Sequence, residues 1–235
     1  MWSRLSLPLL LVIGSLPGLL VLPLALPEAP GVPRAALLIN PALLLLLAAL
    51  AGTPAARRCG LRLRAADSTL PRRISEWVGG ALLGVTIAAA DHLGRALWQQ
   101  GPGLPPSVLE AWTPASLAVG LLYGGVVEEV LLRWGVMSLV ALALWRSIAR
   151  RSPSPPTTAL ALGASIAALA FAAAHLPFLA LAGVEPSVGP VLRTVLLNTA
   201  AGLFYGWWFA RRDLLAAMGA HAGTHVGFAV TALAL

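Results

Sequence analysis

Lysine is missing altogether: all sixteen basic side chains are arginine, against nine acidic ones. Charge of either sign is scarce, at 11% of 235 residues. A soluble domain carries roughly 25%, so the composition excludes an ordinary water-soluble globular chain. A single cysteine, Cys59 in a basic loop, excludes an internal disulfide framework. The net charge of +7 sits on arginines between apolar runs, without interleaved aromatics, which excludes nucleic acid as a partner. No internal repeat is evident, which argues against a repeat-built transporter. Abundant Ala, Arg, Pro and Gly without Lys suggests GC-rich coding, hence a bacterial source.

What is abundant is apolar: 58% of residues are hydrophobic, in long runs such as Ala35–Ala51 and Thr158–Gly183. A spanning helix needs about 20 mostly apolar residues. The bilayer is therefore the solvent for most of the chain, and the fold class is all-α. We read a polytopic bundle of about seven spans (six to eight), at residues 5–26, 33–51, 74–98, 114–145, 157–182, 191–210 and 214–234. Residues 1–113 hold the first spans and a basic loop, and residues 114–235 a helical core, in one structural domain overall. The first run resembles a signal peptide in its flanking Arg4, but it lacks a small-x-small cleavage site and is read as a retained span.

Alternate loops carry the arginine. Arg4, the group from Arg57 to Arg73, then Arg146, Arg150 and Arg151, then Arg211 and Arg212 fall on one side, twelve of sixteen in all. Arg34, Arg95 and Arg193 fall on the other, with Glu28, Glu110 and Glu185. The positive-inside effect then places the N-terminus in the cytoplasm and the C-terminus outside, in a bacterial inner membrane. Loop 99–107 is a turn-rich external connection. Segment 57–73 is compatible with an amphipathic interfacial helix or with a solvated basic loop. Gly80/Gly84, Gly120/Gly124, Gly202/Gly206 and Gly219/Gly223/Gly227 have the spacing that lets helix backbones approach closely.

Three spans hold groups that do not belong in hydrocarbon: Glu128, Glu129 and Arg133 in the fourth, His175 in the fifth, His221 and His225 in the seventh. Each acid or Arg there costs at least ~2.5–3.5 kcal/mol on insertion scales, and such residues are functional by default. Glu129 and Arg133, four apart, share a face and can pair. Glu128 is turned about 100° from Glu129, which leaves one carboxylate neutralised and one available. His221 and His225 share a face, and Phe171 lies one turn before His175. An inert ion-pair lock between helices fits a single buried His better than this many groups. Asp91 and His92 read as an interfacial cap and Asn198 as a helix–helix hydrogen bond. The Trp residues read as interfacial anchors, with Trp207 and Trp208 also able to line a substrate route.

Glu128-Glu129-Val-Leu-Leu-Arg133 matches an EExxxR motif, Phe171-Ala-Ala-Ala-His175 an FxxxH motif, and His221-Ala-Gly-Thr-His225 stands where HxxxN or HxxxD is expected. In this order, on successive spans, they resemble the CPBP family of CaaX-protease and bacteriocin-processing (Abi) intramembrane endopeptidases, related to type II CaaX prenyl proteases. The resemblance covers about residues 114–230. It implies intramembrane peptide hydrolysis of a membrane-embedded or membrane-associated protein. Glu128 would take a proton from a water shared with His175, Glu129 and Arg133 would orient the site with Phe171, and His221 and His225 would donate to the oxyanion. No cofactor is required on this reading. The departure is His225 in place of Asn or Asp. It also opens a zinc alternative, with His175, His221, His225 and Glu128 as ligands, although HExxH is absent. A non-catalytic immunity or scaffold protein and an ion-coupled transporter are the other readings. Oligomeric state is not legible.

Overall fold

The computed structural model describes residues 2–24, 33–98, 107–181, 183–185 and 187–235. The predicted loop at 99–106 and Glu28 lie outside them. Among the described residues seven long helices follow one another: α1 (Trp2–Val21), α2 (Ile39–Arg58), α3 (Leu70–Leu93), α4 (Pro114–Ile148), α5 (Thr157–His175), α6 (Val188–Arg211) and α7 (Leu214–Ala234). No strand occurs among the described residues. Five segments, residues 6–24, 36–58, 70–93, 114–148 and 157–181, are long and apolar enough to cross a membrane. The helices α6 and α7, of 24 and 21 residues, are also long enough. Arg193 and Asn198 in the first, and two His with three Gly in the second, dilute their apolar character.

The outside of the bundle is leucine: Leu43, Leu47, Leu50, Leu82 and Leu169 are exposed. The inside is small residues, because lipid gives helices no hydrophobic reason to associate and close backbone contact must supply the attraction. Helices α3 and α7 show this best. A methyl at Gly80 would lie 1.9 Å from the carbonyl oxygen of Ala220, and one at Gly223 would lie 2.3 Å from that of Trp77. Each helix is thus grooved for the other's backbone. Helices α1 and α2 pack on α4, and α5 on α6, so contacts run across residue 113 as well as within each half.

The fourth helix runs unbroken for 35 residues. Thr113 caps it, exchanging hydrogen bonds with Ser116, and Pro114 takes the first helical position. Its middle is π-wound over Gly120–Glu128 and Val130–Met137, a winding that tends to mark functional segments. The site glutamates lie in this stretch.

Segment 57–73 is not an interfacial helix. After Arg58 the chain turns at Gly60, which takes a φ of 72°, and runs as an irregular loop beside the start of α7. The N–H groups of Leu214 and Leu215 donate to the carbonyls of Arg62 and Leu63 at 2.9 and 3.2 Å. Asp213 caps α7 by accepting from Ala216 N–H at 2.7 Å, and also accepts from Ala65 N–H at 2.6 Å and from Arg73 at 2.6 and 2.8 Å. Burial pushes the Asp213 carboxyl up, but Arg73 and the two backbone N–H groups outweigh it and hold it below the usual carboxylate range. Buried Glu76 joins the cluster through Arg73 at 2.9 Å and Arg212 at 3.3 Å. These long-range partners override any local helical preference.

Candidate active site

Helices α4, α5, α6 and α7 meet around one cavity of about 450 Å³, with Ile87 of α3 also in its wall. Glu128 of α4, Phe171 and His175 of α5, Tyr205 of α6, and His221 and His225 of α7 all line it, as do Gly120 and Gly124. Glu129 and Arg133 stand behind it, fully buried.

The buried pair is held from several sides. Arg133 Nη1 lies 3.1 Å from Glu129 Oε1, and its Nη2 donates to the carbonyl of Gly202 at 2.9 Å. The guanidinium lies over the rings of both Phe171 and Tyr205, 5.1 and 5.2 Å from their centroids, where the two meet edge-on. The Glu129 contact is close enough for an ion pair but poorly aligned for a hydrogen bond, and Glu129 Oε2 and Arg133 Nε have no hydrogen-bond partner among the described residues. Charge attraction rather than hydrogen-bond geometry binds the two.

Glu129 Oε1 also lies 2.8 Å from His221 Nδ1. Toward a Glu129 carboxylate paired with Arg133, Nδ1–H is the donor, and a neutral His221 then carries its lone pair on Nε2. Tyr205 stacks on the His221 ring at 4.3 Å with the planes 14° apart. Nε2 of His221 lies 3.8 Å from Glu128 Oε2, beyond direct hydrogen-bond reach. His175 is fixed in the same sense. Its Nδ1 lies 2.8 Å from the carbonyl oxygen of Phe171, which can only accept, so Nδ1–H donates and Nε2 is bare. The Phe171 ring meets His175 edge-on at 4.6 Å. His225 stacks on His221 at 5.3 Å, and among the described residues no hydrogen bond fixes its tautomer.

One expectation from spacing meets a different geometry. Gly120 and Gly124 do not serve backbone approach. They make room for imidazoles: a methyl at Gly120 would lie 2.2 Å from His225 Nδ1, and one at Gly124 3.0 Å from His225 Nε2 and 3.2 Å from His221 Nε2. The glycines of α7 face α3, away from the histidine face.

Three secondary assignments are corrected. Asp91 is 2% exposed and is no interfacial cap: it binds Arg193 of α6, with the Nη2 contact at 2.7 Å, and accepts from Val108 N–H at 2.8 Å. Asn198 donates within its own helix, to Thr194 at 2.8 Å, and its side chain lines the cavity. Trp207 and Trp208 are not among the cavity-lining residues; Trp208 is buried and Arg212 stacks on it at 4.8 Å.

Sequence reasoning missed Tyr205 and Tyr123. The chain has only two tyrosines and both line this cavity, a rarity that would have pointed to them. The zinc alternative has its four candidate ligands, His175, His221, His225 and Glu128, around the cavity. Among the described residues, however, no three His, Cys, Asp or Glu are grouped closely enough to hold a metal ion, so no step is derived through one.

Comparison with curated proteins and with solved structures finds no match. A family model described as "Type II CAAX prenyl endopeptidase Rce1-like" matches residues 110–227, just over half of the 235-residue chain. The match spans every residue assigned above to the cavity's chemistry, from Glu128 to His225.

Proposed function

The chain belongs to the type II CAAX prenyl endopeptidase Rce1-like family, and on that premise we propose that it hydrolyses peptide bonds with a water activated by Glu128 and His175. The supporting observation is convergence: Glu128, His175, His221 and His225, from three helices, line one cavity. Glu128 is the carboxylate left over once Arg133 has neutralised Glu129, and its side chain is 17% exposed to that space.

Glu128 and a neutral His175 Nε2 both accept hydrogen bonds. A water between them donates one proton to each and turns a lone pair toward a substrate carbonyl. Attack forms the tetrahedral intermediate, Glu128 takes the water's proton, and the same carboxyl later delivers it to the departing amine. The oxyanion needs donors. His225 can supply Nε2–H, because its tautomer is free. His221 has its Nδ1–H committed to Glu129, so it donates from Nε2 only once that nitrogen has taken up a proton. His225 is therefore the first oxyanion donor and His221 the conditional one. A donor of this kind is worth ~2.7–4 kcal/mol in measured cases. Glu129, Arg133 and Tyr205 are positioning residues that fix the His221 ring. The reading needs no metal, and its substrate is a membrane-embedded or membrane-associated protein of a bacterial inner membrane.

The test is cleavage of membrane proteins by Glu128→Gln and His175→Ala in native membranes, with folding checked separately. Loss of cleavage by well-folded variants is expected, and cleavage at the wild-type rate would remove the base assignment. Metal analysis of active, chelator-washed protein distinguishes the zinc version: stoichiometric zinc whose removal abolishes activity would replace the metal-free mechanism.

A further inference from the structure

The cavity runs toward one end of the bundle only. Its far end is lined by Val108, Ala111, Ser116 and Arg193, from the loop before α4 and the first turns of α4 and α6. On the opposite side of Glu128 and His221 the core is closed: Arg133, Trp134, Met137 and Phe209 are each at most 1% exposed, and Trp134 packs on Phe209 at 6.1 Å. None of the lining residues comes from the basic end of the bundle, where α2 and α6 finish and α3 and α7 begin.

That basic end holds most of the twelve arginines assigned to one side. Arg62, Arg64, Arg150, Arg151 and Arg211 have no carboxylate within ion-pair distance there, among the described residues. At the cavity end arginine is rare, and among the described side chains Arg95 pairs with Glu110 and Arg193 with Asp91. Arginine-rich ends of spanning bundles stay in the cytoplasm. The cavity walls between site and opening are apolar, with Ile87, Val119, Leu197 and Phe228 among them, so they suit an apolar segment without charge.

We propose that the peptidase site is reached from the extracytoplasmic side, and that its substrate is an apolar, membrane-anchored segment entering from the outer leaflet rather than a cytosolic tail. The inference rests on reading this cavity as the peptidase site. Two measurements separate the two ideas. In a Cys59→Ser background, single cysteines replace Ala111 at the cavity end and Ala66 at the arginine-rich end, both exposed positions. A membrane-impermeant maleimide is applied to intact spheroplasts, then to permeabilised ones. Ala111→Cys should label in intact cells and Ala66→Cys only after permeabilisation. The reverse pattern, or equal labelling of both, overturns the orientation. In parallel, protein termini present with the wild type and lost with Glu128→Gln are mapped across the membrane proteome. They should fall at extracytoplasmic ends of spans. Glu128-dependent termini on the cytoplasmic side would overturn this inference and leave the peptidase reading standing. Outside labelling of Ala111→Cys with no Glu128-dependent termini would uphold the orientation and remove the peptidase reading.

Discussion

Gly120 is where the site has least room, and Gly120→Ala tests whether the imidazole it cradles takes part in the reaction. The new methyl would lie 2.2 Å from Nδ1 and 2.3 Å from Cγ of His225. Ordinary contact begins at 3.4 Å, so the ring must retreat by about 1.2 Å. Because Cγ is the root of the ring, rotating the ring about its own bond cannot relieve the clash; χ1 must change or α7 must shift. A misplacement of about 1 Å costs on the order of 10²-fold in rate, and losing one oxyanion donor costs about 10²–10³-fold in kcat. We expect Gly120→Ala to lose on the order of 10²-fold in kcat and about 1–3 kcal/mol in stability, the usual cost of overpacking. Gly124→Ala is the internal control. Its methyl would meet ring tips at 3.0 and 3.2 Å, which a few tenths of an ångström relieve, so its loss should be much smaller. The assay is reporter cleavage in proteoliposomes, normalised to monodisperse protein. In a His225→Ala background the extra methyl has space, and Gly120→Ala should add almost nothing, a coupling that a double-mutant cycle measures directly. Full activity of folded Gly120→Ala, or additive losses in the double variant, would refute the role given to His225.

Arg133→Met leaves the Glu129 carboxylate buried without its counter-charge and should cost about 3–5 kcal/mol; thermal unfolding in detergent reads it. Adding Glu129→Gln should restore much of that stability while cleavage stays low, and restored cleavage would count against a positioning role for the pair. Asp213 has its folded carboxyl held below its unfolded value. It therefore stabilises the fold above the unfolded pKa of about 3.9, and that stability is lost as pH falls through the lower folded value. Asp213→Asn keeps a capping oxygen but gives up the ion pair with Arg73, so it should lose about 1 kcal/mol at neutral pH and show a flatter acid limb; an unchanged pH profile of unfolding would contradict the assignment. At Gly80 a methyl would lie 1.9 Å from a backbone oxygen of α7, so Gly80→Ala should force α3 off α7. The expected result is loss of the monodisperse peak in size-exclusion chromatography, and a normal peak would sink the packing argument.

The residues of the site were legible because the cost of charge in hydrocarbon makes each exception conspicuous. Glu128, Glu129, Arg133 and the histidines stood out against apolar runs, and periodicity paired Glu129 with Arg133 as the structure has them. What lay beyond reach was anything settled by a distant partner. Segment 57–73 has leucine and arginine spacing that suits an interfacial helix, but its carbonyls are taken by Leu214 and Leu215, about 150 residues downstream. Asp91 looked like an end cap because the arginine that binds it belongs to another span. The π-winding of α4 was invisible because its flanks are apolar all round, so no stripe exists to betray a change in helical period. The pair Gly120/Gly124 has the spacing of any other close-approach pair. Spacing says that something must come close, and it does not say whether a backbone or a ring does.

That ambiguity bears on the substitution that sets this chain apart from the HxxxN or HxxxD pattern. An Asn or Asp at 225 would be shorter than an imidazole and would leave the space over Gly120 unfilled. The larger ring needs a helix surface without a Cβ at 120 and gains further room from the lack of one at 124, and the chain has glycine at both. Histidine at 225 and the two glycines are thus one structural unit carried by two helices. Of the three imidazoles around the cavity, two have Nδ1–H donated away, to Glu129 and to the Phe171 carbonyl, and so present bare nitrogens. A site with only bare nitrogens could hold and deprotonate a water but could not stabilise the anion its attack creates. The His225 ring, with no hydrogen bond to fix its tautomer, is the one of the three that can present an N–H without first taking up a proton.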